Sequence, residues 1–134
     1  MKIKLIKFND NLIYPCRAHY NDAGIDCFAL EDFDLIPKTT KIVPLGFGLE
    51  VPDGYMATIR PRSSMNAKGI ITQIGTIDSG YRGEIKAVFI NLGNITQHFK
   101  KGDKICQIVI EPVILAEFTE NITNDRGTGG FGRI

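Results

Sequence analysis

Lys41-Ile42-Val43-Pro44-Leu45-Gly46-Phe47-Gly48-Leu49-Glu50-Val51 runs into Pro52-Asp53-Gly54 and then into Tyr55-Met56-Ala57-Thr58-Ile59-Arg60. Two apolar segments with β-branched and aromatic residues, joined by three turn-forming residues, read as strands about a tight connection. The pattern continues on both sides. Further strands are expected over Ile3 to Phe8, Ile25 to Ala29, Ile70 to Ile77, Glu84 to Asn91, Ile95 to Phe99 and Lys104 to Val113, with turns at Asp78-Ser79-Gly80, Leu92-Gly93-Asn94 and Lys101-Gly102-Asp103. Short strands without an internal repeat, and no helix of ordinary length, predict an all-β, jelly-roll-like sandwich. The local exception is Ser63-Ser64-Met65-Asn66-Ala67-Lys68-Gly69, where Ser63 suits a helix cap and Gly69 the position after a helix end. It predicts about one or two helical turns beginning just after Arg62.

A chain of 134 residues, 43% hydrophobic, has the material for one domain with a core, since a domain of this size buries roughly two-thirds of its unfolded surface. The β-rich core is expected over residues 1–120. Residues 121–134 are polar and glycine-rich and read as a flexible arm that also carries Arg126, Phe131 and Arg133. Sixteen Lys and Arg against fifteen Asp and Glu leave a net charge of +1. Such a balance gives no global field to recruit nucleic acid or an anionic membrane, so an anion site must be local. Cys16, Cys27 and Cys106 show no metal-ligand spacing, and their odd number fits free thiols in a reducing compartment. Neither a signal peptide nor a membrane span is read, and the expected location is the cytoplasm, or a host's cytoplasm for a phage protein.

Five segments carry chemistry. Ala23-Gly24-Ile25-Asp26 sets a carboxylate at a strand start, although taken alone it reads more readily as a turn with a solvated Asp. Pro61-Arg62-Ser63-Ser64 combines a guanidinium, two hydroxyls and the backbone N–H groups of a helix start, the parts of a phosphate cradle or, equally, of an ordinary cap beside a surface Arg. Gly75-Thr76-Ile77-Asp78-Ser79-Gly80-Tyr81-Arg82-Gly83-Glu84 brings an Asp into a turn and a Tyr out of it. Backbone groups of such a hairpin can read the edge of a base while the Tyr ring packs beneath a sugar. Lys101-Gly102-Asp103-Lys104-Ile105-Cys106-Gln107 is a polar turn feeding a buried strand in which Gln107 is the unexpected polar residue, or simply a Gln with an edge-facing amide. Arg126-Gly127-Thr128-Gly129-Gly130-Phe131-Gly132 has the glycine content of a phosphate loop without the Lys-Ser/Thr ending of a P-loop. Phe131 argues against a plain linker, because an aromatic in a mobile segment gains from a flat partner such as a nucleobase. His19 and His98 assemble into no nucleophilic triad.

In this order and spacing the five segments, spanning residues 23 to 132, resemble the five motifs of the trimeric dUTPase family. The resemblance implies a jelly-roll subunit in a homotrimer whose active sites are shared among chains. It implies dUTP as substrate, cleaved to dUMP and pyrophosphate, and Mg²⁺ as cofactor. Asp78 resembles the carboxylate that orients and deprotonates the attacking water; an ordinary Asp, with a pKa of about 4, is already ionised at neutral pH. Gln107 resembles the Gln beside the α-phosphate and that water. Arg62, Ser63 and Ser64 match residues at the β- and γ-phosphates. The hairpin backbone around Thr76 and Ile77 would bind uracil, and Tyr81 would pack on deoxyribose and exclude a 2′-hydroxyl. Asp26 matches the Asp that acts through water on Mg²⁺ held by the triphosphate. Arg126 would pair with the γ-phosphate and Phe131 would stack on uracil as the arm closes. No direct nucleic-acid or membrane partner is implied.

The sequence departs from the family pattern in two places. Cys27 stands where Leu is common, and Arg133-Ile134 follow Phe131-Gly132 where the family continues Ser-Thr-Gly. Two other readings compete: dCTP deaminase within the same fold, which uses a Glu base on the ring, and a regulatory binding module for which nucleotide is a switch. Asp78 beside Tyr81 weighs against the first; the intact Arg62, Asp78 and Arg126 leave the second without a positive signal.

Overall fold

Ala87, Phe89 and Asn91 alternate with more exposed neighbours along one strand and are each fully buried, the signature of a strand with one face on a core. The computed structural model describes residues 1–121, with β1 Lys4–Lys7, β2 Ile25–Phe28, β3 Phe33–Leu35, β4 Thr40–Pro44, β5 Phe47–Glu50, β6 Tyr55–Arg60, α1 Ser63–Ala67, β7 Ile70–Thr72, β8 Gly75–Ile77, β9 Lys86–Asn91, β10 Gln97–Phe99 and β11 Lys104–Pro112. A four-stranded sheet in the order β2-β11-β6-β8 and a three-stranded sheet β4-β9-β7 are accompanied by the two-stranded pairs β1-β5 and β10-β3. Every pairing among these strands is antiparallel. Phe47, Phe89, Leu35, Leu45, Ile105 and Ile108 are among the largest fully buried side chains of the common core, each contributing roughly 1.5–3 kcal/mol by leaving water.

The sequence-level strand Lys41 to Val51 is two strands in different sheets. β4 pairs with β9 and β5 with β1, and the break falls at Pro44-Leu45-Gly46, where Gly46 has φ +83° and faces the Leu30 methyls. Pro limits further pairing and Gly takes the left-handed turn, so the chain changes sheet there. Ile70 to Ile77 divides the same way: β7 pairs with β9 and β8 with β6. The helix is where expected, but Ser63 is its first helical residue; Arg62 occupies the cap position and no side chain bonds the free N–H groups. Gly69, with φ +76°, follows its end as expected. Residues 113–121 carry no regular structure. No helix among the described residues is long and apolar enough to cross a membrane.

Candidate active site

Strict alternation along β11 would put Lys104 and Gln107, three positions apart, on opposite faces of the sheet. A bulge prevents this. The register against β2 shifts between Lys104 and Cys106, so Lys104 lies opposite Phe28 and Cys106 opposite Cys27. Ile105 and Cys106 both turn into the core, each fully buried, and Lys104 and Gln107 both emerge on the outer face. Gln107 there pairs with Asp26 of β2 on one side and Arg60 of β6 on the other.

Around this point four groups interlock. Gln107 Nε2 donates to the Pro61 carbonyl at 2.9 Å. Asp26 Oδ2 lies 3.2 Å from Lys104 Nζ, and Oδ1 lies 3.7 Å from Arg62 Nε. Arg62 Nη1 donates to the Lys104 carbonyl at 3.2 Å. The Asp26 side chain is only 13% exposed, so these charge pairs are partly shielded from water and screened less than surface pairs. Gly24 supplies the room: a Cβ there would lie 1.7 Å from Gln107 Oε1. Beneath the cluster, Cys27 has its thiol pKa pushed well up, first by its hydrogen bond with Cys106 and then by burial. Ser63 and Ser64 follow Arg62 at the start of α1, both exposed. A recess of about 390 Å³ opens here, lined by Arg62, Ser64, Lys68, His98 and Lys104 among others.

The hairpin after β8 forms a second recess, of about 270 Å³, lined by Ile59, Thr76, Ile77, Asp78, Tyr81 and Glu84 among others. The turn is closed by Tyr81 N–H donating to the Asp78 carbonyl at 3.1 Å. Tyr81 folds back so that its hydroxyl donates to the Glu84 carbonyl at 2.8 Å. Gly83 makes this possible, since a Cβ there would lie 2.5 Å from the Tyr81 oxygen. Arg82 steadies the far side through the Ser79 and Tyr81 carbonyls and Glu50. Asp78 is exposed, and its carboxylate has no partner among the described residues.

The sequence-expected residues thus form two groups: Asp26, Arg62, Ser63, Ser64 and Gln107 in one, Thr76, Ile77, Asp78 and Tyr81 in the other. The chain does not bring the groups together. β8 runs antiparallel to β6 with Gly75 opposite Ile59 and Ile77 opposite Ala57, whereas Gln107 is level with Arg60. Asp78 therefore falls near the level of Met56, about 13 Å along the strand from Gln107 at roughly 3.3 Å per residue. Arg126 and Phe131 lie outside the described residues. Sequence reasoning missed Lys104, whose position three residues before Gln107 is opposite-face spacing in a regular strand, and Glu84, whose carboxylate accepts from Gly46 N–H at 3.0 Å and anchors the hairpin's return.

Asp26 also bears on metal binding. Among the described residues no three His, Cys, Asp or Glu side chains gather as a cage. Asp26 already shares its carboxylate between Lys104 and Arg62, so a Mg²⁺ here would ride on substrate phosphates and keep most of its waters, with Asp26 reaching it through one of those waters.

The chain is similar to known proteins over nearly its whole length. The dUTPase family model matches residues 10–134. A deoxyuridine 5'-triphosphate nucleotidohydrolase from Gloeothece citriformis (strain PCC 7424) is 41% identical over 138 positions, covering 98% of this chain and 95% of its own. The protein of that name from Ehrlichia canis (strain Jake) is 42% identical over 141 positions, covering 97% and 92%. Among solved structures, the Staphylococcus bacteriophage 80alpha dUTPase with dUpNHpp superimposes with a TM-score of 0.88 at 24% identity, covering 99% of this chain and 98% of that one. A mutant dUTPase of phage phi11 of S. aureus, described with a structural Mg(II) ion, does so with 0.85 at 23%, covering 92% and 98%. The expected all-β, jelly-roll-like fold with one short helix is borne out.

Proposed function

The chain belongs to the dUTPase family, and on that premise we propose that it is a Mg²⁺-assisted dUTP pyrophosphatase. It would hydrolyse dUTP to dUMP and pyrophosphate, limiting uracil incorporation into DNA and supplying dUMP for dTMP synthesis in the cytoplasm. The observation that carries this reading is the division of one chain into a base-sized recess bearing Asp78, unpartnered among the described residues, and a cation cluster bearing Gln107.

In the hairpin recess, backbone groups near Thr76 and Ile77 pair with the edge of uracil, and the Tyr81 ring, held through Glu84, packs on the sugar and leaves no room for a 2′-hydroxyl. An apolar wall rejects one methyl or hydroxyl by about 10²-fold, whereas mispaired hydrogen bonds reject more strongly. Cytosine is therefore discriminated against more than thymine. Asp78 takes the proton of a water attacking the α-phosphorus, and the bond from that phosphorus to the bridging oxygen breaks to release pyrophosphate. Gln107 positions that water and the α-phosphate. Arg62, Ser63 and Ser64 bind the β- and γ-phosphates. Bound Mg²⁺ would fix the triphosphate geometry and neutralise charge on the leaving group, with Asp26 the residue that addresses it through water.

Because the two groups of residues stand apart within one chain, a complete site would join the hairpin of one copy to the cation cluster of another. This supports a homotrimer with shared sites. Residues 121–134 are proposed to act as a closing arm, with Arg126 on the γ-phosphate and Phe131 on the base. The experiment is pyrophosphate release from dUTP, dTTP, dCTP and UTP in Mg²⁺, with ring deamination followed separately. Turnover of dUTP alone, abolished in Asp78→Asn, is the expected result; dUTP binding without turnover would replace the enzyme with a nucleotide-sensing module.

A further inference from the structure

We propose that Lys104 is a further substrate-binding residue that takes the terminal phosphates of the nucleotide, and that Asp26 is the positioning residue that holds Lys104 and Arg62 ready before the nucleotide arrives. The inference rests on the dUTP reading of this site and adds to it a residue outside the sequence-expected set.

Three observations converge on Lys104. The first is the bulge in β11, which places Lys104 and Gln107 on one face although three residues separate them. A bulge leaves a residue unpaired in the ladder and persists where it re-aims a side chain; here it aims two, and one is the Gln expected at the α-phosphate. The second is the charge arrangement. Arg62 and Lys104 share the Asp26 carboxylate, at 3.7 and 3.2 Å, while the Lys104 carbonyl accepts from Arg62 Nη1 at 3.2 Å. Two cations on one carboxylate leave a local surplus of positive charge, and Arg62 is further fixed by the backbone of the Lys104 segment. The third is the recess of about 390 Å³ that both cations line, together with Lys68 and His98. Among the described residues Asp103 is the one carboxylate lining it, and His98 Nδ1 is turned to Asp34 at 2.6 Å.

A polyphosphate entering this recess offers several anionic oxygens where Asp26 offers two. Lys104, a compact ammonium on a flexible stem, can swing from the carboxylate to a phosphate oxygen without disturbing the strand that carries it. Lys68 also lines the recess, 5.4 Å over the Phe99 ring, but Lys104 is the lysine that shares Asp26 with Arg62 and emerges on the same face as Gln107.

The experiment compares wild type with Lys104→Met and Lys104→Arg by titration calorimetry with inorganic pyrophosphate and Mg²⁺, and by dUTP kinetics in parallel. Losing one charge-assisted phosphate contact is expected to weaken pyrophosphate at least about tenfold. It should raise the KM for dUTP by a similar factor, with kcat changed less than about threefold and the melting temperature little changed; Lys104→Arg should restore binding to within about threefold. Pyrophosphate affinity equal in Lys104→Met and wild type would overturn the proposal, as would a loss that Arg does not rescue and that follows the melting temperature, which is the mark of a merely structural lysine. Pyrophosphate binding reports on Lys104 even where wild type fails to turn over dUTP, so failure of the proposal and failure of the functional reading remain distinguishable.

Discussion

Gly24→Ala isolates the positioning of Gln107 from the stability of the fold. The backbone tolerates the change, since Gly24 is absent from the glycines with positive φ. The three nearest atoms to an added Cβ all belong to the Gln107 side chain: Oε1 at 1.7 Å, Cδ at 2.7 Å and Cβ at 3.3 Å. Ordinary contact at about 3.4 Å requires Oε1 to retreat by about 1.7 Å, which breaks the 2.9 Å bond from Nε2 to the Pro61 carbonyl. That lost bond costs about 0.5–1.5 kcal/mol, and the reduced freedom of the unfolded chain returns about 0.4–1 kcal/mol. The melting temperature should therefore move by no more than about 4 °C. Activity should respond far more, because a misplacement of about 1 Å at a reacting centre costs on the order of 10²-fold. The expected outcome is a fall in kcat/KM for dUTP of about 10²-fold with unchanged circular dichroism. A double-mutant cycle identifies the cause: in a Gln107→Ala background, Gly24→Ala should change kcat/KM by less than about twofold. A full hundredfold loss in that background, or wild-type turnover in the folded single variant, would refute the reasoning.

Gly83→Ala places a methyl 2.5 Å from the Tyr81 oxygen and displaces the ring from its bond to the Glu84 carbonyl; the ratio of kcat/KM for dUTP over UTP should fall by about tenfold, within the range of a single steric discrimination. Iodoacetamide on the native protein should label the exposed Cys16 and spare buried Cys27 and Cys106, as peptide mass mapping would show. The raised Cys27 pKa also carries a sign: the unfolded thiol ionises first, at about pH 8.5, so the stability contributed by the protonated folded thiol is complete below that pH and is lost as pH rises above it. Urea unfolding of wild type and Cys27→Ala should show the steeper alkaline decline in wild type, and parallel declines would exclude this group as the source.

Elements bounded by strong turn chemistry are legible from residues alone. Tyr55–Arg60, between Pro52-Asp53-Gly54 and Pro61, has its expected limits. Elements whose boundary is a change of partner are not: Lys41 to Val51 is one apolar run, and only the sheets it joins, β9 for its first half and β1 for its second, make it two strands. Phe33–Leu35 escapes a sequence reading because three residues are too few to establish an alternation, and its partner β10 lies far along the chain. The site shows the same division. Asp26, Arg62, Asp78, Tyr81 and Gln107 are visible as segments with suitable chemistry, but which of them meet depends on register. A one-residue bulge, silent in the sequence, puts Lys104 and Gln107 on one face, and the antiparallel run of β8 takes Asp78 away from both.

That separation makes the proposed assembly testable without a structure of the complex. If each site takes Asp78 from one copy and Arg62 from another, Asp78→Asn and Arg62→Ala are each inactive as pure trimers yet carry complementary intact halves. Equal amounts unfolded together and refolded should assemble at random. A site is then competent when its hairpin comes from the Arg62 variant and its cation cluster from the Asp78 variant, which holds for about one quarter of sites in a closed symmetric ring. The mixture should recover about 25% of wild-type dUTP turnover per subunit after refolding, and none when the folded variants are combined without subunit exchange. A site drawing both residues from one chain recovers nothing in either case. Zero recovery in a mixture shown by mass spectrometry to contain mixed trimers would therefore return the site to a single chain, where the strand that parts Asp78 from Gln107 would have to give way.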